Sequence, residues 1–191
     1  PFFDRICGDI DTDRVVVDDF NGAYAAVQHL ISVGCHRIAH LSAPQTMQIA
    51  QKRQMGYIQA LKDARLPIDE SLIIQCDNQA DAMIIGEQLM KRTDRPDGIF
   101  AVNDLTAAGA MYAIKHMGYR VPEDVAICGF TDGLVSTLTD PTLTTVEQHG
   151  DRMGEIATDL LLRRINSEDE LIPTTTKVIK TNLIARGSTR R

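Results

Sequence analysis

The sequence predicts an α/β fold in which parallel sheets are covered by helices on both faces. Short apolar runs such as GIFAV and DVAICGF are nearly continuous, as strands buried on both faces require. These runs alternate with segments of helical periodicity. Gly34 and Gly118 fall just past two of these segments, where a left-handed residue commonly ends a helix. The chain is therefore expected to be doubly wound, with right-handed crossovers between its strands.

The alternation is regular up to residue 130. Apolar runs predict strands at 15–17, 37–42, 72–76, 98–102 and 125–130. Apolar residues that recur at three- and four-residue steps predict helices at 19–33, 47–65, 81–92 and 105–117. Each helix lies between two strands in the sequence, which is the order that a parallel sheet with helical crossovers needs.

The pattern then changes. Residues 131–142 are rich in Asp, Thr, Gly and Pro and predict an irregular loop. The following predicted elements are a strand at 143–147, a helix at 151–165, an acidic link at 167–170 and a strand at 177–185. One compact sheet does not need this detour, whereas two lobes joined by crossing segments do. We therefore predict that 1–17 and 141–175 form part of an N-terminal lobe that is incomplete, and that 18–140 and 176–191 form a C-terminal lobe.

The composition argues against several classes of protein. The chain has 191 residues, 43% of them apolar and 24% charged, which is typical of a globular protein that needs no metal or disulfide to hold its core. No apolar run approaches the ~20 residues of a membrane span. The net charge of −6 repels phosphate backbones, so these residues are not expected to contact DNA themselves.

The four cysteines, at positions 7, 35, 76 and 128, form no CxxC pair and lack metal-ligand spacing. We interpret them as small buried hydrophobes, which favours a reducing compartment and hence the cytoplasm. The first residues lack the pattern of a secretion signal, and the chain opens abruptly on a strand, as a trimmed fragment would.

No catalytic or cofactor-binding motif is found in the sequence. GxSxG, GxxxxGK[ST], HExxH and GxGxxG are all absent. The five histidines are dispersed along the chain, and those near helix C-termini suit the helix dipole. The sequence therefore predicts neither an enzyme, nor a metal site, nor a bound cofactor.

Polar residues collect where the predicted strands end, which is where ligands bind in open α/β sheets. These residues are Asp4, Arg5, Asn78, Asn103, Asp104, Thr131 and Asp132. Carboxylates, amides and a guanidinium around a cleft suit a polyhydroxylated ligand, since each hydroxyl both donates and accepts hydrogen bonds. Simpler interpretations stay open. Asp104 could cap the helix at 105–117, Thr131 and Asp132 could be ordinary turn residues, and Arg53 could be a solvated position on its helix.

Several longer stretches cover nearly the whole chain. They are FFDR at 2–5, VVVDDFNGAYAAVQHLISVGCHRIAHLSAP at 15–44, RQMGYIQAL at 53–61, PDGIFAVNDLTAAGAMYAIKHMGYRVPEDVAICGFTD at 96–132, PTLTTVEQHGDRMGEIATDLLL at 141–162 and LIARGST at 183–189. Read together, and in this order, they resemble the effector-binding core of the lactose-repressor/galactose-repressor family of transcription regulators. The resemblance implies a fold like that of periplasmic sugar-binding proteins, with two lobes and the effector in the cleft between them.

The resemblance also implies which residues contact the effector. It places Arg53 on the ligand as a hydrogen-bonding fork, with Asn103 and the corner formed by Asp4 and Arg5 beside it. We expect Arg53 to be a half-exposed cleft residue, so that Arg53→Ala removes effector binding and leaves the fold intact.

Other pocket positions are implied in the same way. Met47 and Ile49 match positions that line the pocket and vary with the effector, and Gln148 matches a polar position at the hinge. One departure concerns the residue after the Gly-aromatic pair, where many members carry Asp. Here Thr131 follows, and the acid is delayed to Asp132. The family's carboxylate contact has therefore either moved to Asp132 or been lost.

The function implied by the resemblance is the sensing of a small metabolite, a sugar or sugar derivative, by a homodimeric regulator. The dimer is expected to form through the helix at 105–117, with Leu105, Ala108 and Tyr112 in the contact, and through the loop after Asp132. Operator DNA would be bound by an N-terminal module that this chain lacks. The alternatives are a periplasmic sugar receptor of the same fold that serves a transporter, and the sensor of a membrane-bound kinase.

Overall fold

The computed structural model describes residues 2–4, 10–167 and 173–190. The strands are β1 (Phe2–Phe3), β2 (Arg14–Val17), β3 (Ile38–Ser42), β4 (Ile73–Gln75), β5 (Gly98–Ala101), β6 (Ala126–Cys128), β7 (Thr145–Glu147), β8 (Thr176–Ile179) and β9 (Asn182–Ile184). The helices are α1 (Asp19–Ser32), α2 (Gln48–Asp63), α3 (Gln79–Lys91), α4 (Asp104–His116), α5 (Val135–Leu138) and α6 (Gly150–Ile165).

The main sheet is parallel and has the strand order β4-β3-β5-β6. Helices α1 and α2 pack together on one face, and α3 and α4 pack together on the other. Successive residues of β5 point to opposite faces, so that Phe100 joins the core under α1 and α2 while Ile99 and Ala101 join the core under α3 and α4. The predicted doubly wound α/β fold is confirmed.

A second parallel sheet has the order β1-β2-β8, and α6 packs against it. The predicted strand at 177–185 is in fact two strands. The first, β8, pairs with β2, whereas the second, β9, pairs antiparallel with β7. Isolated bridges from Thr144 to Cys128 and from Glu147 to Thr131 also lay the β7 segment alongside the end of the main sheet. The strand pairing thus differs from the predicted division at 141–175 and 176–191, because β8 completes the smaller sheet and β7 extends the larger one.

Polar side chains cap the beginning of three helices that follow strands. Asp18, Asn78 and Asn103 each accept a hydrogen bond from a backbone N–H in the first turn of α1, α3 and α4. The Asn103 Oδ1 atom accepts from the backbone N of Thr106 at 2.8 Å. The interpretation of Asp104 as the cap of α4 is therefore wrong, because the preceding residue occupies that position.

Cys35, Cys76 and Cys128 are buried free thiols, which confirms them as small core residues, while Cys7 lies outside the described residues. The predicted loop at 131–142 contains the short helix α5. Within the described ranges, no helix has the length and apolar character that crossing a bilayer requires.

Candidate functional site

A cavity of about 230 Å³ lies beyond the carboxyl ends of the strands. It is lined by Asp4, Ala43, Met47, Ile49, Arg53, Asp77, Val102, Asn103, Thr131 and Gln148. Six strands contribute to it, because these residues include the ones that follow β1, β3, β4, β5, β6 and β7. The carboxyl ends of strands from three sheets thus bring together side chains that are far apart in the sequence, and in open parallel sheets this end of the strands is where ligands bind.

Arg53 projects from α2 toward this cavity, and its side chain is only 3% exposed. Its Nε atom donates to Oδ1 of Asp19 at 2.8 Å, and its Nη1 atom donates to the carbonyl oxygen of Val102 at 2.5 Å. The guanidinium carbon lies 3.6 Å from the ring centroid of Phe130, so one face of the group stacks on an aromatic ring. The expectation of a half-exposed Arg53 is wrong, since α2 turns this position toward the core.

Asp19 and Arg53 form a buried ion pair, and both side chains are 3% exposed. Burial raises the pKa of Asp19 and lowers the pKa of Arg53, because each charged form loses its hydration, while their mutual attraction opposes both shifts. Removing one partner of such a pair leaves the other charge buried and typically costs about 3–5 kcal/mol. The reason for expecting Arg53→Ala to preserve the fold no longer holds, and we instead expect this variant to lose stability.

Asn103 lines the cavity while it also holds local structure together. Its side-chain oxygen caps α4, and its Nδ2 atom donates to the carbonyl oxygen of Asp77 at 3.1 Å. The amide therefore joins the segments that follow β4 and β5. Substitution of Asn103 would alter both the cavity wall and the start of a helix.

Thr131 and Asp132 form a turn with positive φ angles of 145° and 60°. Thr131 lines the cavity, but the carboxylate of Asp132 lies elsewhere. An oxygen of Asp132 lies 2.7 Å from Nη1 of Arg186 and accepts a hydrogen bond from the Ser136 hydroxyl at 3.0 Å. The turn thus points successive side chains in different directions.

Asp104 holds the turn at Thr131 and Asp132 in place through hydrogen bonds. It is buried, and it accepts hydrogen bonds from the Thr145 hydroxyl at 2.5 Å and from the backbone N of Gly133 at 2.9 Å. Burial raises the pKa of this carboxyl, and the hydrogen bonds from Thr145 and Gly133 oppose that shift.

Most of the predicted ligand-binding residues converge on the cavity, namely Asp4, Met47, Ile49, Arg53, Asn103, Thr131 and Gln148. Asn78 is not among the lining residues, because its side chain caps α3, and the preceding Asp77 lines the cavity instead. Asp132 faces Arg186, and Arg5 lies outside the described residues. The sequence reasoning missed Asp77, although it directly follows a predicted strand, and it missed Asp19 as the partner of Arg53.

Two further features help to define what this site can do. Asp4 and Gln148 also line a cavity of about 590 Å³ between β1 and α6, whose walls include Phe3, Met153 and Leu161. Its apolar walls offer few hydrogen-bonding groups, so the smaller, polar cavity is the better candidate for an oriented ligand. In the parts of the chain described above, no group of His, Cys, Asp and Glu side chains is arranged to hold a metal ion.

A family model of the periplasmic binding protein-like domain matches residues 27–189. The chain belongs to this family. The predicted resemblance to the effector-binding core of lactose-repressor-type regulators is likewise confirmed by the relatives described next.

Among the curated relatives of this family member is the HTH-type transcriptional repressor PurR of Mannheimia succiniciproducens. It is 36% identical over 160 residues, which cover 83% of this chain and 48% of that protein. The chain spans about half the length of the curated relatives that it matches.

Two solved structures are similar over nearly the whole chain. The complex of the transcriptional regulator CelR with cellobiose is 32% identical, with a TM-score of 0.87, and the match covers 97% of this chain and 57% of that chain. The LacI family transcriptional regulator from Enterococcus faecium with bound ribose is 26% identical, also with a TM-score of 0.87, over 97% of this chain and 68% of that chain.

The family member also presents an exposed apolar face on α4 and α5. Leu105 is 57% exposed, Tyr112 is 56% exposed, and Leu138 on α5 is 72% exposed. Ala108 and Tyr112 line a groove on this side of α4, and the largely buried Met111 contributes to the same groove. An exposed apolar face of this kind is typical of a protein contact.

Proposed function

We propose that this chain is the effector-sensing part of a lactose-repressor-type transcription regulator, and that a sugar or sugar derivative binds in the cavity at the strand ends. The observation that carries the proposal is the convergence of Asp4, Arg53, Asp77, Asn103, Thr131 and Gln148 on one cavity of about 230 Å³. Hydroxyl groups both donate and accept, so they suit a wall that mixes carboxylates, amides and a guanidinium. The sugars named in the two similar structures, cellobiose and ribose, support this ligand class.

The signal would arise from the two sheets that meet at the cavity. Asp4 follows β1 of the smaller sheet, whereas Asn103 follows β5 of the main sheet. A ligand that bonds to both favours one relative arrangement of the sheets over others, which is a population shift. In a dimer, that shift changes the spacing of paired DNA-binding modules and therefore the affinity for operator DNA.

Several parts of the proposal concern the whole regulator. The relatives carry HTH-type names, which supports operator DNA as the partner, bound by a module outside these residues. The exposed face of α4 and α5 would form the homodimer contact. On this proposal the regulator works in the cytoplasm and catalyses no reaction. The regulator names of the relatives favour this interpretation over a periplasmic receptor.

The test compares Gln148→Ala with Gln88→Ala. Gln148 lines the cavity, whereas Gln88 is an exposed residue of α3 and serves as a matched control. A panel of neutral sugars that includes cellobiose and ribose is screened for a rise in Tm, because a ligand that binds only the folded state stabilises it. Calorimetry on the best sugar should show about a twofold to tenfold loss of affinity in Gln148→Ala, the cost of one hydrogen bond, and none in Gln88→Ala.

Two results would count against the proposal. If no sugar raises Tm and a nitrogenous base or an amino acid does, the ligand class is wrong. If a sugar binds with equal affinity to the original chain and to Gln148→Ala, Thr131→Val and Asn103→Ser, the site lies elsewhere, since these variants alter three separate walls of the cavity.

A further inference from the structure

The guanidinium of Arg53 already makes hydrogen bonds and a stacking contact within the protein. Asp19 and the Val102 carbonyl occupy its Nε and Nη1 atoms, and Phe130 covers one face at 3.6 Å. Phe130 is itself held in place, because it packs so closely on Gly22 that a side chain there would collide with the ring. The group therefore has a fixed orientation at the cavity wall.

Nη2 is the guanidinium nitrogen of Arg53 that lacks a hydrogen-bond acceptor among the described residues. This atom is buried and lies 2.7 Å from Oδ1 of Asp19, but none of the described residues accepts a hydrogen bond from it. A buried donor of this kind is costly unless a partner satisfies it. Arg53 lines the cavity, so an oxygen of a ligand bound there is the candidate partner for this donor.

The positive charge of the guanidinium is also paired within the protein. The Asp19 carboxylate neutralises the guanidinium at the contact, and both groups are buried, so little of the attraction is screened by water. Two further carboxylates, Asp4 and Asp77, line the same cavity. Arg53 therefore presents a directed hydrogen bond to the cavity rather than an uncompensated positive charge.

We infer that Asp19 is a positioning and specificity residue. It holds Arg53 so that Nη2 points to the ligand, and it cancels the positive charge so that the site selects a neutral oxygen, such as a hydroxyl, over a phosphate or carboxylate. This inference rests on the proposed function only in placing the effector at this cavity. The exclusion of anions from Arg53 follows from the ion pair itself.

The test is Asp19→Asn, in which the amide oxygen can still accept from Nε while the negative charge is gone. Asp18→Asn is the matched control, since it removes the same charge from the neighbouring residue, which caps α1 and contacts Asn21 instead of Arg53. The probe is inorganic phosphate, and the readout is the Nε–H signal of Arg53 in a ¹⁵N NMR spectrum, assigned by its loss in Arg53→Lys.

In the original chain and in Asp18→Asn, we expect millimolar phosphate to leave the Arg53 signal unmoved. In Asp19→Asn, the same titration should move the signal in a saturable manner, with at least about tenfold tighter apparent phosphate binding, because the buried guanidinium then lacks a counter-charge. Neutral sugars should bind Asp19→Asn more weakly than the original chain, since the guanidinium of Arg53 is no longer oriented by an ion pair.

The outcomes separate this inference from the proposed function. A phosphate-dependent shift of Arg53 in the original chain, or an unmoved signal in folded Asp19→Asn, overturns the role of Asp19 even if sugars bind. A gain of phosphate binding in Asp19→Asn supports that role even if no sugar binds the original chain, in which case the effector class is wrong. If circular dichroism shows that Asp19→Asn is unfolded, the phosphate titration of the original chain still decides the question: a shift refutes the inference, and an unmoved signal supports it.

Discussion

Acidification should destabilise this protein through His40, which lies in β3 at the centre of the main sheet. The imidazole is fully buried and stacks between Tyr57 and Phe100, with ring centroids 5.1 and 5.0 Å away. Burial lowers its pKa from 6.5 to about 4, the positive charge of Arg53 acts in the same direction, and the hydrogen bond from Nδ1 to the Phe100 carbonyl opposes the shift. The folded state therefore keeps this histidine neutral.

The sign and size of the effect follow from the two pKa values. In the unfolded chain His40 binds a proton near pH 6.5, whereas in the folded chain it does so only near pH 4. Between these values the unfolded state binds more protons, so the free energy of unfolding falls as the pH falls. At about 1.4 kcal/mol per pKa unit, the loss between pH 7 and pH 4 amounts to about 3 kcal/mol.

Urea denaturation at a series of pH values from 7 to 4 measures this loss. His40→Phe is the comparison, because it keeps an aromatic ring between Tyr57 and Phe100 and removes the titrating group. Other groups also respond to pH: burial lowers the pKa of His29, and Arg164 holds the pKa of Asp13 below its usual value. Their contributions are common to both proteins, so the difference isolates His40. Parallel stability curves for the two proteins over this range would refute the reasoning.

Three further predictions concern the cavity rim, the apolar face and the core. Asp132→Asn should change effector affinity by less than about twofold, because its carboxylate faces Arg186 away from the cavity, and calorimetry that shows a tenfold loss would restore Asp132 as a ligand contact. Leu138→Asp should shift the sedimentation equilibrium toward monomer at micromolar concentration, whereas an unchanged distribution would remove α5 from the contact. Gly129→Ala should lower the free energy of unfolding by about 1–3 kcal/mol in urea titrations, because its methyl group would collide with the Asp104 carboxylate; an unaltered midpoint would contradict this packing.

The main sheet could be predicted because its local signals agree with one another. Strands β3, β5 and β6 are buried on both faces and largely apolar, as a position between two helical layers requires, and each helix between them shows an apolar stripe. Gly34 and Gly118 end their helices with φ angles of 94° and 87°, the conformation that only glycine adopts without strain. In these segments propensity, periodicity and capping all favour the observed structure.

The end of the chain could not be predicted in the same way. Residues 176–184 read TKVIKTNLI, a stretch rich in Thr, Val and Ile that contains neither Gly nor Pro to mark a break at Lys180 and Thr181. The break exists because β8 pairs with β2 of the smaller sheet while β9 pairs with β7. Which strand edge accepts each half is decided by contacts between residues that are distant in the sequence, and periodicity carries no information about these contacts.

Arg53 carries a signal that the sequence reasoning could have used. Buried residues of α2 recur at Ala50, Arg53, Tyr57 and Ala60, steps of three and four that place the arginine on the apolar stripe and not on the solvated face. A guanidinium on a buried stripe requires a counter-charge, because the loss of hydration is otherwise prohibitive. Carboxylates near the ends of neighbouring elements are the candidates for this counter-charge. Asp19 is one of them, because it begins α1, the helix that packs on α2. The identity of the partner depends on how α1 and α2 pack together, but the need for one follows from the periodicity alone.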